Sequence, residues 1–248
     1  MHENSQIKLS PEAEKYVYYR EYNPDIIVML GDCLTIMPLL PKVDLVVTDP
    51  PYKQDFAHGS GLMVGKRLET HKQILEDVGS SPEFDISIYI PIILKAAETS
   101  LIWCSCRQLP QLFKFVGERF NLLTWVKTNP TPLTNNKMLN DTEFCICLLG
   151  DSFSYPDVSF EEKRTAIVMK NGADNLIHHP TVKPINLMKR TIKSFSNGTT
   201  SILDPFLGSG TTAVAAKELK RNFIGIEINV KYCEIAKKRL QNTQVPML

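Results

Sequence analysis

The sequence predicts a single α/β domain, with a mostly parallel β-sheet covered by helices on both faces. Short apolar runs at 25–30, 43–48 and 201–204 are typical of strands that are buried on both sides. In the last third of the chain such runs alternate with helical stretches. The 248 residues fit one domain of this kind, which we assign to residues 1–248.

The predicted elements follow one another with short connections. Strands are expected at 25–30, 43–48, 100–104, 122–127, 143–149, 201–204 and 222–228, and helices at 86–98, 109–120, 186–195, 211–219 and 231–241, with a short helical stretch between 32 and 41. Three segments lie outside this pattern. They are an N-terminal arm at 1–24, a loop at 53–79, and a polar, turn-rich stretch at 151–175.

Composition excludes several classes of protein. Apolar residues make up 43% and charged residues 22% of the chain, as in globular proteins, and the formal net charge is +1. A nucleic-acid surface would therefore have to be a local patch. No apolar run is long enough to span a membrane and none resembles a signal peptide, so we expect a cytoplasmic protein that does not bind membranes.

The six cysteines predict neither a disulfide scaffold nor a metal site. They include two C-x-C pairs, Cys104 with Cys106 and Cys145 with Cys147, which fall in or beside predicted strands. Zinc ligands are usually spaced more widely. We therefore expect these cysteines to be small buried side chains and expect no bound metal.

A glycine-containing loop from Asp204 to Ala213 lies between a predicted strand and a predicted helix. Glycine permits positive φ and close approach of a ligand, and the start of a helix offers free N–H groups. Glu227 ends the next strand 19 residues beyond Gly208, a spacing at which a carboxylate accepts hydrogen bonds from a ribose. A Rossmann-like site for a nucleoside-containing cofactor is thus predicted. Because Gly208-x-Gly210-x-x-Ala213 also fits the dinucleotide fingerprint, NAD stays open at this point.

The turn Asp49-Pro50-Pro51-Tyr52 directly follows a predicted buried strand. The amino group of an adenine is a poor nucleophile because its lone pair is delocalised into the ring. A carboxylate from Asp49 and the Pro50 carbonyl, held by the fixed φ of two consecutive prolines, would accept its two N–H bonds. Tyr52 would offer a flat face to a base removed from a duplex. The alternative is an ordinary proline turn capped by an aspartate. The position of the turn directly after a buried strand, in a chain that also has a cofactor loop, favours the catalytic interpretation.

From about residue 31 to residue 240 the chain resembles the amino-directed DNA methyltransferases, the N6-adenine/N4-cytosine family. In its circularly permuted β arrangement the catalytic turn precedes the cofactor loop, as here. The matching pieces are Gly31-Asp32, 48–52, Trp125-Val126-Lys127, Glu143, 179–184, 204–212 and Glu227. The resemblance implies a Rossmann-like methyltransferase domain that depends on S-adenosyl-L-methionine.

The resemblance also assigns roles to residues. It implies that Asp49 and Pro50 contact the target amino group and that Tyr52 stacks on the base. Asp32 would contact the adenine amino group of the cofactor, and Glu227 its ribose hydroxyls. The remaining cofactor residues would bind the methionine end, with Lys183 paired to its carboxylate; they are Thr181, Lys183, Asp204, Phe206, Gly208, Ser209, Gly210 and Thr211.

The expected substrate is N6 of adenine in double-stranded DNA, because Asp-Pro-Pro-Tyr is the usual adenine form in this family; N4 of cytosine is the alternative. The distant alternative, an NAD-dependent oxidoreductase, would explain the glycine loop and Glu227 but would give the turn at Asp49 no function. We expect target recognition between residues 150 and 177, where Lys163, Arg164 and Lys170 lie, with help from the loop at 53–79. The shortness of this segment indicates a short target site, a homodimer or weak specificity. A restriction endonuclease is a further candidate partner.

Overall fold

The computed structural model describes residues 6–52, 84–130, 138–172 and 182–245. Its strands are β1 Val17–Glu21, β2 Ile26–Leu30, β3 Leu45–Thr48, β4 Thr99–Cys104, β5 Phe120–Lys127, β6 Thr142–Leu148, β7 Ala166–Met169, β8 Ser201–Asp204 and β9 Asn222–Glu227. Its α-helices are α1 Pro11–Glu14, α2 Cys33–Ile36, α3 Ile90–Ala96, α4 Leu109–Leu112, α5 Phe160–Lys163, α6 Ile185–Phe195, α7 Thr211–Glu218 and α8 Val230–Asn242. Short 3₁₀ turns occupy Met37–Leu39, Ile86–Ile88 and Phe113–Phe115.

All nine of these strands belong to one sheet, in the order β1-β2-β9-β8-β3-β4-β6-β5-β7. The central strands from β2 to β4 are parallel neighbours. Only β1 and β6 run in the opposite direction among the described strands. The sheet is therefore mixed but mostly parallel, which confirms the predicted α/β fold. The carboxyl ends of the central strands meet at one edge.

Both faces of the sheet are covered, as predicted. Successive residues of β2 show this, because Ile26 packs into the layer that contains α6, α7 and α8, whereas Ile27 packs into the layer that contains α2, α3 and α4. The first layer also holds the fully buried Trp103 and Trp125. Burial on alternate faces is what an uninterrupted apolar run produces in a parallel strand.

Three stretches differ from the prediction. Residues 1–24 contain more than an arm, since α1 begins after the capping side chain of Ser10 and β1 pairs with β2 as an edge strand. The predicted length of the helix at 109–120 was wrong, because the observed helix is shorter. It ends at Leu112, because Gly117 disfavours a helix and the segment from Phe120 pairs with β6 instead.

The turn-rich stretch at 151–175 is more regular than expected over its described part. Ser159 and Glu162 form a reciprocal capping box that starts α5. Residues Ala166–Met169 then form β7, which pairs in parallel with β5 at the edge of the sheet. The predicted loop at 53–79 lies outside the described residues.

The burial of the cysteines follows the prediction with one exception. All six are free thiols; Cys104, Cys145 and Cys147 are buried, whereas Cys106 is exposed beyond the end of β4. No group of His, Cys, Asp and Glu within the described ranges is arranged to hold a metal ion. Among the helices of the same ranges, none is long and apolar enough to cross a membrane.

Candidate active site

One cavity of about 540 Å³ lies at the carboxyl ends of the parallel strands and contains both predicted motifs. The predicted site residues that line it are Asp32, Asp49, Pro50, Pro51, Tyr52, Lys183, Asp204, Phe206, Gly208, Ser209, Thr211 and Glu227. The catalytic turn and the cofactor loop therefore face the same space. Gly210 is not among the described lining residues, and Thr181 lies outside the described part of the chain.

The catalytic turn begins where β3 ends. All four residues of β3 are buried, so the strand delivers Asp49 directly to the cavity. The turn is held by Gln108, whose side-chain amide donates a 3.1 Å hydrogen bond to the Pro51 carbonyl. The other end of the Gln108 amide accepts hydrogen bonds from the backbone N–H and the hydroxyl of Ser105. Gln108 is buried and fixes the turn to the segment that follows β4.

Lys183 is the centre of a buried polar cluster on the catalytic side of the cavity. Its Nζ lies 2.8 Å from each carboxylate oxygen of Asp49 and 2.7 Å from the Tyr52 hydroxyl. It also lies 2.8 Å from Oε2 of Glu143 and 4.7 Å from the centre of the Tyr52 ring. The Lys183 side chain is only 6% exposed, so these partners replace water around its charge.

Glu143 links this cluster to a second lysine. Its Oε1 lies 2.5 Å from Nζ of Lys127, and its Oε2 accepts a 3.0 Å hydrogen bond from the Tyr52 hydroxyl. Glu143 stands near the start of the antiparallel β6, opposite Trp125 of β5. An antiparallel strand brings its first residues to the edge where parallel strands end. That is why Glu143 reaches the cavity.

The cofactor loop is tied to Glu227 at the end of β9. One Glu227 oxygen accepts a 2.8 Å hydrogen bond from the Gly208 N–H, and the other accepts one of the same length from the Asn229 N–H. At the start of the loop, Asp204 accepts hydrogen bonds from the Thr48 hydroxyl at 2.7 Å and the Phe206 N–H at 3.0 Å. The carboxylates of Asp204 and Glu227 thus fix the loop at both of its sides.

The two glycines of the loop serve different purposes. Gly208 has a φ of +55°, and a Cβ built there would meet no atom within 4 Å, so the loop leaves open space on the side of the cavity. Gly210 has a φ of +86°, and a Cβ there would lie 2.7 Å from Cβ of Ala236. Gly210 therefore permits close packing of the loop against α8.

Comparison with known proteins identifies the family. A family model described as DNA methylase, of the N6/N4 methyltransferase type, matches residues 43–238. The chain belongs to the N6/N4 DNA methylase family. The match includes the catalytic turn, the cofactor loop and Glu227, so the dinucleotide alternative loses its support.

Curated relatives of this methylase are type II methyltransferases. M.HpaI of Haemophilus parainfluenzae is 30% identical over 221 residues, which cover 81% of the chain and 69% of that protein. M.HinfI of Haemophilus influenzae is 27% identical over 246 residues, covering 86% of the chain and 68% of that protein. M2.LlaDCHI of Lactococcus lactis subsp. cremoris is 37% identical over 134 residues, and the match spans half of that protein's length (50%).

Solved structures support the fold and the cofactor. The crystal structure of the M1.HpyAVI–SAM complex superposes on the methylase with a TM-score of 0.66 and 28% identity, covering 87% of this chain and 98% of that chain. The PvuII DNA methyltransferase, described as cytosine-N4-specific, superposes with a TM-score of 0.60 at 15% identity, covering 92% of this chain and 98% of that chain, which bears on the fold alone. S-adenosyl-L-methionine is the cofactor.

The residues of the methylase fit this cofactor. The Glu227 carboxylate faces the cavity, and the space beside Gly208 is open. Phe84, Tyr89 and Phe206 form an aromatic wall, with ring centres 5.1–5.8 Å apart, near Asp32. Asp32 itself caps α2 by accepting the Leu34 N–H, and its side chain is exposed. An apolar wall beside a few convergent polar groups is the usual construction of a nucleoside site.

Burial and charge together set the protonation states in the cavity. Burial raises the pKa of Asp49, although the neighbouring Lys183 opposes this change. Burial would also raise the pKa of Glu143, but Lys183 and Lys127 outweigh it and hold that pKa at about 2. Burial lowers the pKa of Lys183, yet Asp49 and Glu143 more than compensate, so the net change is a rise. Glu143 and Lys183 are therefore charged at neutral pH.

On the cofactor side, Asp204 and Glu227 have pKa values above those of ordinary carboxylates. Burial raises the pKa of Asp204 to about 6, against hydrogen bonds from Thr212, Thr48 and the Phe206 N–H that favour the ionised form. Burial also raises the pKa of Glu227, and backbone N–H groups oppose the rise. Desolvation is the common cause in both residues.

Lys183 contacts the catalytic residues. We expected it to pair with the methionine carboxylate of the cofactor, whereas in the methylase its ammonium contacts Asp49, Tyr52 and Glu143. The half-buried carboxylates of Asp49 and Glu143 hold the lysine on the catalytic side, since they compensate its desolvation. A contact between Lys183 and the cofactor stays a prediction.

Several lining residues had no predicted role. They are Phe84, Tyr89, Trp125, Lys127, Glu143, Asn171 and Tyr232. Trp125, Lys127 and Glu143 belong to the pieces that match the family, and this match was the one sequence signal for them. Asn171 is held at the cavity rim because its backbone N–H and carbonyl both bond to the side chain of Asn129, at 2.6 and 3.0 Å. A signal for Asn171 is absent from the sequence pattern.

Proposed function

We propose that this methylase transfers the methyl group of S-adenosyl-L-methionine to N6 of adenine in double-stranded DNA. The observation that supports the proposal best is the shared cavity, in which the Asp49 carboxylate and the cofactor loop face each other. The catalytic residues would be Asp49, Pro50, Pro51 and Tyr52. An extruded base between the turn and the loop would have its amino group beside the cofactor.

Asp49 and Pro50 would activate the amino group. Asp49 accepts one N–H hydrogen bond and the Pro50 carbonyl accepts the other, so that the nitrogen lone pair turns out of the ring plane. When bound, S-adenosyl-L-methionine supplies an electrophilic methyl group on a sulfonium. As the nitrogen gains positive charge, the Asp49 carboxylate stabilises it, and Asp49 then accepts the proton that the methylated amino group releases.

Tyr52 would hold the base by stacking. The Lys183 ammonium lies at the hydroxyl end of the Tyr52 ring, 2.7 Å from the hydroxyl and 4.7 Å from the ring centre, so it does not cover the face on which a base would stack. The Tyr52 hydroxyl is fixed between Lys183 at 2.7 Å and Glu143 at 3.0 Å. The ring is thus oriented before a base arrives, which lowers the entropic cost of binding.

The cofactor residues would be Asp32, Thr181, Lys183, Asp204, Phe206, Gly208, Ser209, Gly210, Thr211 and Glu227. Glu227 would accept hydrogen bonds from the ribose hydroxyls, since both of its oxygens bond to backbone N–H groups that fix its orientation. Glu227→Gln should lower cofactor affinity in calorimetric titration at a temperature where the variant is folded, because one of the two acceptor oxygens becomes an amide donor. Unchanged affinity would contradict the role.

Adenine is proposed over cytosine because the turn begins with Asp49, the usual adenine form in the family. Among the similar structures, the PvuII enzyme is described as specific for cytosine N4, so both bases have to be tested. The test is to incubate the protein with unmethylated DNA and labelled cofactor and to analyse the nucleosides by mass spectrometry. We expect N6-methyladenine. N4-methylcytosine would overturn the choice of base, and no labelled base would overturn the function.

Asp49→Ala is the matching test of mechanism. The variant should bind the cofactor with nearly unchanged affinity, because Glu227 and the glycine loop are intact. Its methyl transfer should fall by at least about 100-fold, as expected when a group that acts in the transition state is lost. An active Asp49→Ala protein would exclude the proposed role of Asp49.

DNA recognition is proposed for residues 150–177 and 53–79. In the described part of the first segment, Lys163, Arg164 and Lys170 are basic, and Lys170 precedes the rim residue Asn171. Phosphate contacts by such residues would make DNA binding salt-dependent. A homodimer is also proposed because the recognition segment is short, and a restriction endonuclease partner because the curated relatives are type II methyltransferases. Light scattering of the protein with and without DNA would test the dimer.

A further inference from the structure

We propose that Glu143, supported by Lys127, is a positioning residue for methyl transfer: it compensates the charge of Lys183 and so leaves the negative charge of Asp49 available to the target amino group. The inference rests on the proposed function and extends it to residues on the antiparallel part of the sheet. In this way the protein keeps a lysine beside its catalytic carboxylate while the carboxylate can still stabilise positive charge on the target nitrogen.

The geometry places four charges in an alternating row. Lys127 lies 2.5 Å from one oxygen of Glu143, and Lys183 lies 2.8 Å from the other. Lys183 in turn lies 2.8 Å from both oxygens of Asp49. The side chains of Lys183, Glu143 and Lys127 are 6%, 16% and 13% exposed and that of Asp49 is 24% exposed, so solvent screens the Asp49 end of the row more than the rest.

Lys183 alone would work against the reaction. The target nitrogen becomes positive as it attacks the methyl group, and a carboxylate beside it stabilises that charge. A lysine bonded to both carboxylate oxygens withdraws part of this stabilisation. Glu143 lies on the side of Lys183 away from Asp49 and offsets the positive charge of the lysine. The Tyr52 hydroxyl accepts a hydrogen bond from Lys183 and donates one to Glu143. The row is therefore neutral as a whole, and Asp49 is its negative end.

The other groups that face Asp49 do not replace Glu143. They are Tyr52, Cys104, Cys145 and Asp204. Burial raises the pKa of Tyr52 well above its usual value, that of Cys104 to about 12 and that of Cys145 well above its usual value, so these three groups are neutral. Asp204, with a pKa of about 6, is bonded to Thr48 rather than to Lys183.

The charge states agree with this arrangement. The two lysines hold the pKa of Glu143 at about 2 against the effect of its burial, so Glu143 is ionised over the working pH range. Burial raises the pKa of Asp49, and the negative charge of Glu143 raises it as well, whereas Lys183 opposes both effects. Removing the charge of Glu143 should therefore lower the pKa of Asp49.

The experiment compares Glu143→Gln with Glu143→Asp, which keeps the charge. Glu218→Gln is the matched control, because it breaks a 2.7 Å ion pair with Lys189 outside the cavity. Carboxyl-labelled aspartate is followed by NMR across pH in each protein, and Asp49→Asn assigns the Asp49 signal. Steady-state methyl transfer to DNA is measured over the same pH range.

In Glu143→Gln we expect the Asp49 signal to titrate at lower pH than in the wild type. The kcat should fall about 10- to 100-fold, the KM for DNA should change less than about threefold, and the acidic limb of the kcat profile should move to lower pH. Glu143→Asp should keep the wild-type limb, and Glu218→Gln should change neither readout.

An unchanged Asp49 titration in a folded Glu143→Gln protein would overturn the inference, whatever its activity. A lower kcat with an unmoved acidic limb would also overturn it, since a merely structural role predicts that result. If the wild type forms no methylated base, the proposed function fails, and the NMR titration still decides the charge role of Glu143. If Glu143→Gln does not fold, Glu143→Asp must keep the Asp49 titration of the wild type or the inference fails.

Discussion

The hydroxyl of Thr48 donates a 2.7 Å hydrogen bond to Oδ1 of Asp204, and both side chains are buried. Thr48 is the last residue of β3, directly before the catalytic turn, and Asp204 begins the cofactor loop. This bond joins two motifs that are 156 residues apart in the chain. Because β3 and β8 are parallel neighbours, both motifs leave the sheet at the same edge.

Thr48→Val should loosen this connection. The substitution keeps the shape of the side chain and removes the hydroxyl, leaving Asp204 with its bonds from Thr212 and the Phe206 N–H. We expect the free energy of unfolding to fall by about 1–2 kcal/mol and the pKa of Asp204 to rise further. Urea denaturation and methyl-transfer assays measure the effect. Thr48→Ser, which keeps the donor, is the control, and equal losses in the two variants would contradict the role of the bond.

The two glycines of the cofactor loop should respond differently to alanine. In Gly210→Ala the new Cβ lies 2.7 Å from Cβ and 3.0 Å from Cα of Ala236, at a φ of +86°. We expect the free energy of unfolding to fall by about 2–3 kcal/mol, because backbone has to move. In Gly208→Ala the Cβ meets no atom within 4 Å, so the loss of stability should be about 1 kcal/mol from the φ of +55°.

The effects of Gly208→Ala and Gly210→Ala on cofactor affinity should rank in the opposite order to their effects on stability. The methyl group of Gly208→Ala occupies space on the cavity side of the loop, so calorimetry should show a weaker cofactor affinity for this variant than for Gly210→Ala at a temperature where both are folded. The reverse order in either measurement would show that the two glycines have been assigned the wrong purposes.

The central sheet was predictable because its strands are buried on both faces. An uninterrupted apolar run as short as Ile26–Leu30 in β2, bounded by turn residues, is typical of a buried strand. The edge strands were not predictable in this way. All five residues of β1 are half-buried, and its sequence ends in the charged pair Arg20 and Glu21. The apolar run of β7 is only four residues long, and two of its residues are exposed, so it does not indicate a strand buried on both faces.

The motifs of the site were predictable, whereas the contacts between them were only partly so. Asp49 follows β3 and Glu227 is the last residue of β9, and the ends of these parallel strands meet at one edge, which places the two residues together. The partner of Lys183 could not be deduced, since 134 residues separate it from Asp49 and its position depends on the segment that precedes α6. Gln108 and Asn171 act through side-chain to backbone bonds, which have no sequence signature.

Substitutions of Tyr52 should separate the ring from its hydroxyl. Tyr52→Phe keeps the ring and loses bonds of 2.7 and 3.0 Å to Lys183 and Glu143, so we expect a less than about tenfold loss in kcat/KM. Tyr52→Ala also loses base stacking of about 1–3 kcal/mol, which corresponds to a further loss of about 5- to 150-fold. Tyr52→Trp should be tolerated better than Tyr52→Ala. Equal losses for Phe, Trp and Ala would exclude stacking, and unchanged cofactor affinity is the control.

The charge of Glu143 should make part of the stability depend on pH. Its pKa is about 2 in the folded protein and ordinarily 4.5, so between these values the unfolded chain binds more protons than the folded one. The stabilisation is therefore complete above about pH 4.5 and is lost as the pH falls through about 2. The difference of about 2.5 pH units corresponds to about 3 kcal/mol.

Glu143→Gln should be less stable than the wild type at pH 7, and this gap should narrow as the pH falls from 5 towards 2. Urea denaturation of both proteins at several pH values measures the gap. Glu218→Gln again serves as the control, because its ion pair with Lys189 is a quarter to a third exposed and should contribute less than about 1 kcal/mol at any pH. A gap that stays constant between pH 5 and 2 would mean that Glu143 contributes through packing, since only an ionised Glu143 can lose its stabilising effect when it binds a proton.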